Sequence, residues 1–468
     1  MSVPEPRTLV LCFDGKLSYQ RNSNVVMFFS TLVKSECSKQ LCYYQPGVGT
    51  FFPPGVVSPF FTWAAKTLDM AIAWYLDQHV MDGYKFLMQN YCDGDRICLF
   101  GFSRGAYTAR ALAGCLYKMG LLPRDNFEQI SFMYSLYKRS DDKGTALSAG
   151  FKQTYCRNVP IHFVGAWDTV ASVGLVLPRT LPFINTNKGI KVFRHAISLD
   201  ERRAMFRPDY YHRQTPHSNA PTIDPGHLAM PCKVKGDFFF TSVCFDISDW
   251  VSRTRKTFLR RIGCGESEQD QQPVCPRLSG YTAYTSEDDA DTDVLEVFFA
   301  GGHTDVGGGA EPTGAKHSLA YIPLRWMIRE VMASQCGILF DQMALAYFGF
   351  PLVEFPFLRA DVVDMKRHGP PAERQRDIRL RFDVADALAP IHDELVTCRA
   401  WWLLEFVPAG FVLQDHDGNW TRTFGCGKGR PILDPHPVFH ESVRYRMENS
   451  PDYNPKAQYV RGSEIYVQ

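Results

Sequence analysis

The chain has 468 residues, 45% hydrophobic and 13% aromatic, which is enough material for one large core with insertions or for two domains. Its 51 lysines and arginines balance 50 aspartates and glutamates, so no global field draws it to nucleic acid and a charged partner must be met locally. No run reaches the roughly 18 uninterrupted apolar residues of a membrane-spanning helix, and residues 1–8 lack the basic start and apolar stretch of a signal peptide, so a cytoplasmic chain is expected.

Residues 8–13 read as an apolar strand that ends in Asp14-Gly15-Lys16. A turn at the C-terminal end of an early strand is where an α/β hydrolase supplies its second oxyanion amide, which makes Gly15 and Lys16 candidate backbone donors. A plain strand-to-helix turn is the alternative, and Asp14 is a secondary candidate beside it. Residues 25–33 read as a helix and 42–50 as a short strand running into a glycine turn. Residues 64–90 carry Leu68, Ile72, Tyr75, Leu76, Val80, Tyr84 and Leu87 at helical spacing, with His79 read as a packed or capping residue.

Apolar residues 97–100 form the next strand, and Ala109, Leu112, Ala113 and Leu116 recur at helical spacing after it. Between them stands Gly101-Phe102-Ser103-Arg104-Gly105, a Gly-x-Ser-x-Gly pattern in the strand–turn–helix context that a nucleophile elbow requires. Such a turn exposes the Ser103 hydroxyl and aims the amide of Arg104, at the positive end of the helix dipole, at an anion formed beside it. The competing reading is a structural turn that merely contains Ser103.

Residues 161–166 form a strand that delivers Asp168, which fits the chain order nucleophile, acid, histidine; a helix N-cap is its other reading. Residues 192–198 are a further strand, with His195 facing the core or a neighbouring strand and Asp200 able to pair with Arg202 or Arg203. His195 and Asp200 are secondary candidates. From 206 to 293 polar residues dominate, ending in an acidic run at 286–293 read as a solvated loop, so this stretch is taken as an insertion. Within it, residues 250–262 form a basic amphipathic helix suited to a lid or to a lipid surface.

Residues 294–300 are a strongly apolar strand that leads into Gly301-Gly302-His303 and a glycine-rich loop. His303 is the general base on this order, with metal binding or packing as alternatives, and Asp305 is the second choice of acid. Ser318 is placed to cap a helix carrying Leu324, Met327, Ile328 and Val331, closed by Gly337. Beyond residue 340 an aromatic-rich segment with hairpins or a short helix covers the core or binds a substrate or partner. No chemistry of its own is read in it. Of the fourteen cysteines, Cys12, Cys98, Cys115 and Cys244 sit inside apolar elements and read as buried thiols, and neither Cys-x-x-Cys nor His-Glu-x-x-His occurs, so no metal site is indicated.

Six motifs in order, residues 9–15 (LVLCFDG), 44–49 (YQPGVG), 100–106 (FGFSRGA), 167–170 (WDTV), 195–203 (HAISLDERR) and 302–309 (GHTDVGGG), resemble the α/β-hydrolase-like domain of unknown function 2235. That family includes the catalytic domains of type VI secretion phospholipase effectors, and this chain looks closest to its fungal members. The resemblance spans residues 7–335 and implies Ser103 as nucleophile, Asp168 as acid, His303 as base and hydrolysis of lipid esters. Two departures stand out: Lys16 where the family has threonine, and Thr304 where it has serine.

The expected architecture is therefore an α/β, hydrolase-like, mainly parallel sheet flanked by helices. The catalytic domain covers 7–337 with the insertion at 206–293, and a C-terminal extension, 338–468, packs on it. The expected activity is that of a serine ester hydrolase of lipase or phospholipase type, with no cofactor, a lipid or other ester as substrate and peripheral contact with a membrane. A non-catalytic interaction protein on the same scaffold, or a thioesterase or amidase with the same triad, are the other readings. The sequence assigns no oligomeric state.

Overall fold

A computed structural model describes residues 6–15, 20–47, 60–170, 181–211, 292–350, 382–405, 410–414, 420–424 and 427–468. All of them belong to one unit, formed by Met1–Gly226 and Ala290–Gln468. Lys16, the basic amphipathic helix at 250–262 and most of the acidic run at 286–293 lie outside the described residues.

The chain builds β1 (Thr8–Phe13), α1 (Asn24–Ser30), β2 (Gln40–Gln45), α2 (Phe60–Asn90), β3 (Arg96–Phe102) and α3 (Arg104–Met119). There follow α4 (Glu128–Tyr137), α5 (Asp142–Tyr155), β4 (Ile161–Trp167), β5 (Ile190–Ser198), β6 (Asp293–Phe299), α6 (His303–Gly307) and α7 (Tyr321–Ala333). Beyond these lie the antiparallel hairpin β7 (Gly410–Gln414) and β8 (Trp420–Phe424), then β9 (Val438–His440) and β10 (Ile465–Val467).

Eight strands form one sheet in the order β10-β9-β6-β5-β4-β3-β1-β2, and every pairing in it is parallel. Parallel strands buried on both faces need apolar side chains on both, and β1 shows this directly. Leu9, Leu11 and Phe13 pack against α2, α3 and α4, whereas Val10 and Cys12 pack on the other face with Phe28 of α1 and Trp326, Met327 and Ile328 of α7. The stripe Leu76, Val80, Tyr84 and Leu87 of α2 joins the first of these cores. Among the described residues no helix is long and apolar enough to cross a membrane.

The order places β1 between β2 and β3, so the winding direction reverses there. In an open α/β sheet the crevice beyond the carboxyl ends of strands at such a point is where ligands bind. The strands end level with one another: Phe13 pairs with Gly101, Phe102 with Trp167, Trp167 with Ala196, and Ser198 with Phe299. The residues that follow these positions are thereby gathered along one rim.

Three local expectations are corrected. Residue 303 does not lie in an open loop but begins α6, because the Asp305 carboxylate accepts the Gly302 amide at 2.9 Å and closes the first turn. Ser318 does not cap α7: its hydroxyl accepts from Ala320 N at 3.3 Å while the helix begins at Tyr321, with Pro323 in the first turn, where no donor is missed. Asp293, placed at the end of the acidic loop, opens β6 and pairs with Arg194 at 2.7 Å.

Candidate active site

Ser103 sits between β3 and α3 at φ 58°, ψ −122°, an unusual conformation for a residue with a Cβ, and its amide donates to Trp167 O at 3.0 Å. A residue held there by the structure around it is a strained turn of the kind found at reactive sites. The turn exists because α3 starts hard against the end of β1. A Cβ on Gly105 would lie 2.1 Å from Phe13 O and 2.7 Å from Asp14 C. Helix propensity alone favours Gly105→Ala by about 1 kcal/mol, but the collision is with backbone, and overpacking of this kind costs about 1–3 kcal/mol. Gly105→Ala is expected to lower the midpoint of denaturant unfolding and to slow turnover together, because it pushes the Gly15 turn away from Ser103.

His303 reaches Ser103 from two strands further along the sheet than Asp168. The short helix α6 lies directly on Phe102, so closely that a Cβ on Gly307 would fall 1.7 Å from that ring. His303 Nε2 thereby stands 2.9 Å from Ser103 Oγ, and Nδ1 stands 2.5 Å from Asp168 Oδ2. The imidazole is packed between Phe102, centroid 4.7 Å away, and Phe206, 4.9 Å away. Burial pushes its basicity below the ordinary histidine value, against the opposing effect of the hydrogen bond that Nδ1 donates to Asp168. Burial would raise the Asp168 carboxyl, yet the Arg430 charge and the His303 contact outweigh it and hold the group well below the usual carboxylate range.

Arg430 escaped the reading of the sequence. It follows the glycine-rich segment Gly427-Lys428-Gly429, where an arginine looks like a solvated loop residue, yet it is buried. Its Nη1 stands 2.6 Å from Asp168 Oδ1 and its Nη2 2.9 Å from Oδ2. Glu201 and Arg203 were also missed, although the motif at 195–203 contains them. Glu201 accepts two bonds from the Arg203 guanidinium, at 2.9 and 2.8 Å, and takes the His303 amide at 3.2 Å. Arg203 in turn covers the Phe206 ring at 3.7 Å.

The secondary candidates serve as scaffold around this chain of contacts. His195 Nε2 accepts the Thr169 amide at 3.0 Å, so its proton is on Nδ1, facing Glu296 at 2.9 Å; the neutral ring fixes the backbone just after Asp168. Asp200 pairs with neither Arg202 nor Arg203. It accepts Gly301 N at 2.7 Å, Lys456 N at 2.9 Å and the Tyr453 hydroxyl at 3.0 Å, because Arg203 is taken by Glu201 and Arg202 by Asp393. Asp305 holds the turn that carries His303 rather than its ring, and it also takes His392 N and Nδ1 at 2.9 and 2.7 Å. Asp14 accepts the hydroxyls of Ser23 and Tyr44 at 2.8 and 3.0 Å.

Gly15 approaches Ser103 so closely that a Cβ on it would lie 2.7 Å from the serine Cβ. A small cleft opens beside Gly15, lined by Asp14, Gly15, Arg104, Gly105 and Thr108 and by Tyr75, Leu76 and His79 of α2. Burial lowers the His79 imidazole to about 4, so it faces this cleft as a neutral ring.

Known proteins supply a second, independent comparison. The chain is 26% identical over 560 aligned positions, covering 96% of it and 81% of the relative, to the uncharacterized protein YEL023C of Saccharomyces cerevisiae. Among solved structures it is similar to an uncharacterized protein from Pseudomonas aeruginosa, with a TM-score of 0.33, 18% identity and coverage of 86% of this chain and 53% of that one. It is also similar to the Tle1 effector bound to the VgrG spike of the type VI secretion system, with a TM-score of 0.25, 15% identity and coverage of 44% and 47%. The chain thus spans about half the length of both solved chains. The model of the T6SS phospholipase effector Tle1-like catalytic domain matches residues 7–330, and the chain belongs to that family.

Proposed function

We propose that the protein is a serine hydrolase that cleaves carboxylic esters of lipids, phospholipids foremost, through an acyl-enzyme. The family supports hydrolysis of this class, and the observation that carries the mechanism is the unbroken series of contacts Ser103–His303–Asp168. As Ser103 Oγ attacks the ester carbonyl, His303 Nε2 takes its proton. The tetrahedral oxyanion meets the amides of Arg104 and Gly15, and donors of this kind are each worth about 10²–10³ in rate. The intermediate collapses with His303 protonating the departing alcohol, and water activated by the same imidazole then releases the fatty acid. Asp168 keeps the imidazole in one tautomer and balances its charge. The cleft beside Gly15 and α2 is the place for the substrate next to the scissile bond.

The test is fatty-acid release from phosphatidylcholine vesicles, triglyceride emulsion, an acyl thioester and an acyl amide by wild type and Ser103→Ala, with fluorophosphonate labelling in parallel. Release from phospholipid or glyceride that vanishes in Ser103→Ala supports the reading. Intact lipid esters, together with no adduct on Ser103 of the folded protein, would return the chain to the binding-module reading. Turnover confined to the thioester or amide would change the substrate class.

The pH profile follows from the His303 environment. A general base works in its neutral form, and a base whose pKa is lowered by burial stays neutral further into acid. Asp168 remains ionised throughout, so it adds no limb near neutrality. The acid limb of kcat/KM on a short-chain ester is accordingly expected below the ordinary histidine value of about 6.5, and a limb above that value would contradict the assignment.

A further inference from the structure

The Asp168 carboxylate is wholly buried and saturated. Oδ1 takes the Ser198 amide at 2.9 Å and Arg430 Nη1 at 2.6 Å, while Oδ2 takes the Ser198 hydroxyl at 3.2 Å, Arg430 Nη2 at 2.9 Å and His303 Nδ1 at 2.5 Å. A carboxylate offers about four acceptor sites, so this one has a single orientation open to it. Arg430 adds further bonds to Ser198 Oγ at 2.7 Å, Ser198 O at 3.2 Å and Phe206 O at 2.5 Å. Its own backbone is tied down, since its carbonyl accepts Gln458 N at 2.8 Å and Ile432 N donates to Gln458 O at 2.8 Å. The guanidinium is therefore as rigidly placed as the acid it grips, and it comes from beyond residue 330, where the match to the family model ends.

We propose that Arg430 is a positioning residue of the reaction, one that fixes both oxygens of Asp168 and sets how much of its negative charge reaches His303. The proposal rests on the Ser103–His303–Asp168 reading. A buried carboxylate without a counter-charge either protonates or, if it stays ionised, stabilises the imidazolium strongly. In the first case it no longer holds the base, and in the second the base loses its neutral form at higher pH. Arg430 removes both outcomes, because its fork keeps the acid ionised while sharing its charge. Among the described residues, the other titratable and charged groups facing this pair are Glu201, Arg203, His195 and Tyr210, and none of these forks onto Asp168.

The experiment compares Arg430→Gln, which keeps donors without charge, with Arg430→Lys, which keeps charge without the fork. Both are assayed with a short-chain soluble ester across pH, alongside Ser103→Ala. Arg430→Gln is expected to move the acid limb of kcat/KM to higher pH and to lower kcat about 10–100-fold with KM unchanged, the scale known for the groups that orient metal ligands. Arg430→Lys is expected to lower kcat at unchanged KM while leaving the limb in place, since a single ammonium cannot grip two oxygens. A wild-type kcat and acid limb in both would overturn the proposal. Should Arg430→Gln fail to fold, Arg430→Lys decides alone, with wild-type kcat counting against the proposal and a kcat loss at constant KM counting for it. Activity surviving Ser103→Ala would instead overturn the triad reading beneath it.

Discussion

Ser103→Ala is expected to abolish ester turnover, lowering kcat by about 10⁶-fold, the scale seen when the nucleophile of an interdependent triad is removed. The fold should be untouched. The hydroxyl bonds only to His303 Nε2 among the described residues, and the strained backbone at φ 58° is as tolerable for alanine as for serine. His303 then faces a methyl group, a loss of one hydrogen bond worth about 0.5–1.5 kcal/mol. Cooperative thermal unfolding, shifted by no more than the loss of that one bond, with lost activity and lost fluorophosphonate labelling is the pattern to look for. Activity retained in a folded alanine variant would remove Ser103 from the chemistry.

Asp168→Asn is expected to have the second-largest effect, and here it differs from the usual triad. In the chymotrypsin-type example the amide leaves the geometry intact and costs about 10⁴ in kcat through the wrong tautomer. The same loss is expected here, because an amide nitrogen set against His303 Nδ1 cannot accept its proton. A stability loss should accompany it. Arg430 is buried against both carboxylate oxygens at 2.6 and 2.9 Å, so neutralising Asp168 strands a guanidinium in the interior. Breaking a buried pair from one side costs about 3–5 kcal/mol. Denaturant unfolding of Asp168→Asn should therefore show a large drop in midpoint, while the double change Asp168→Asn with Arg430→Gln, which removes both charges, recovers much of it without recovering activity. Equal midpoints for the wild type and the single variant would mean that the pair is not buried as described.

The parts of this molecule that could be read from its sequence are those carried by local pattern. Residues 8–13, 96–102, 161–167 and 293–299 are short apolar runs followed at once by Asp14-Gly15, Ser103, Asp168 or the glycines before His303. In a parallel sheet, a chemically active side chain placed just past a buried strand is brought to a common rim whatever the strand order. What escaped notice depends on contact between distant segments. Strands of three residues, such as β9 and β10, are too short for any periodicity to register, although they complete one side of the sheet. Arg430 has no local signature, since its importance comes from a carboxylate 262 positions earlier. Glu201 and Arg203 stood inside a quoted motif, but only the folded chain reveals that the pair supports the His303 amide and the Phe206 ring.

Arg430, finally, bears on timing. A growing polypeptide holds the alcohol, the imidazole and the carboxylate long before translation reaches this arginine, and until then the acid has no counter-ion and the sheet lacks β9 and β10. A product that ends before residue 430 would hold every reacting atom but lack the guanidinium fork that fixes both oxygens of Asp168.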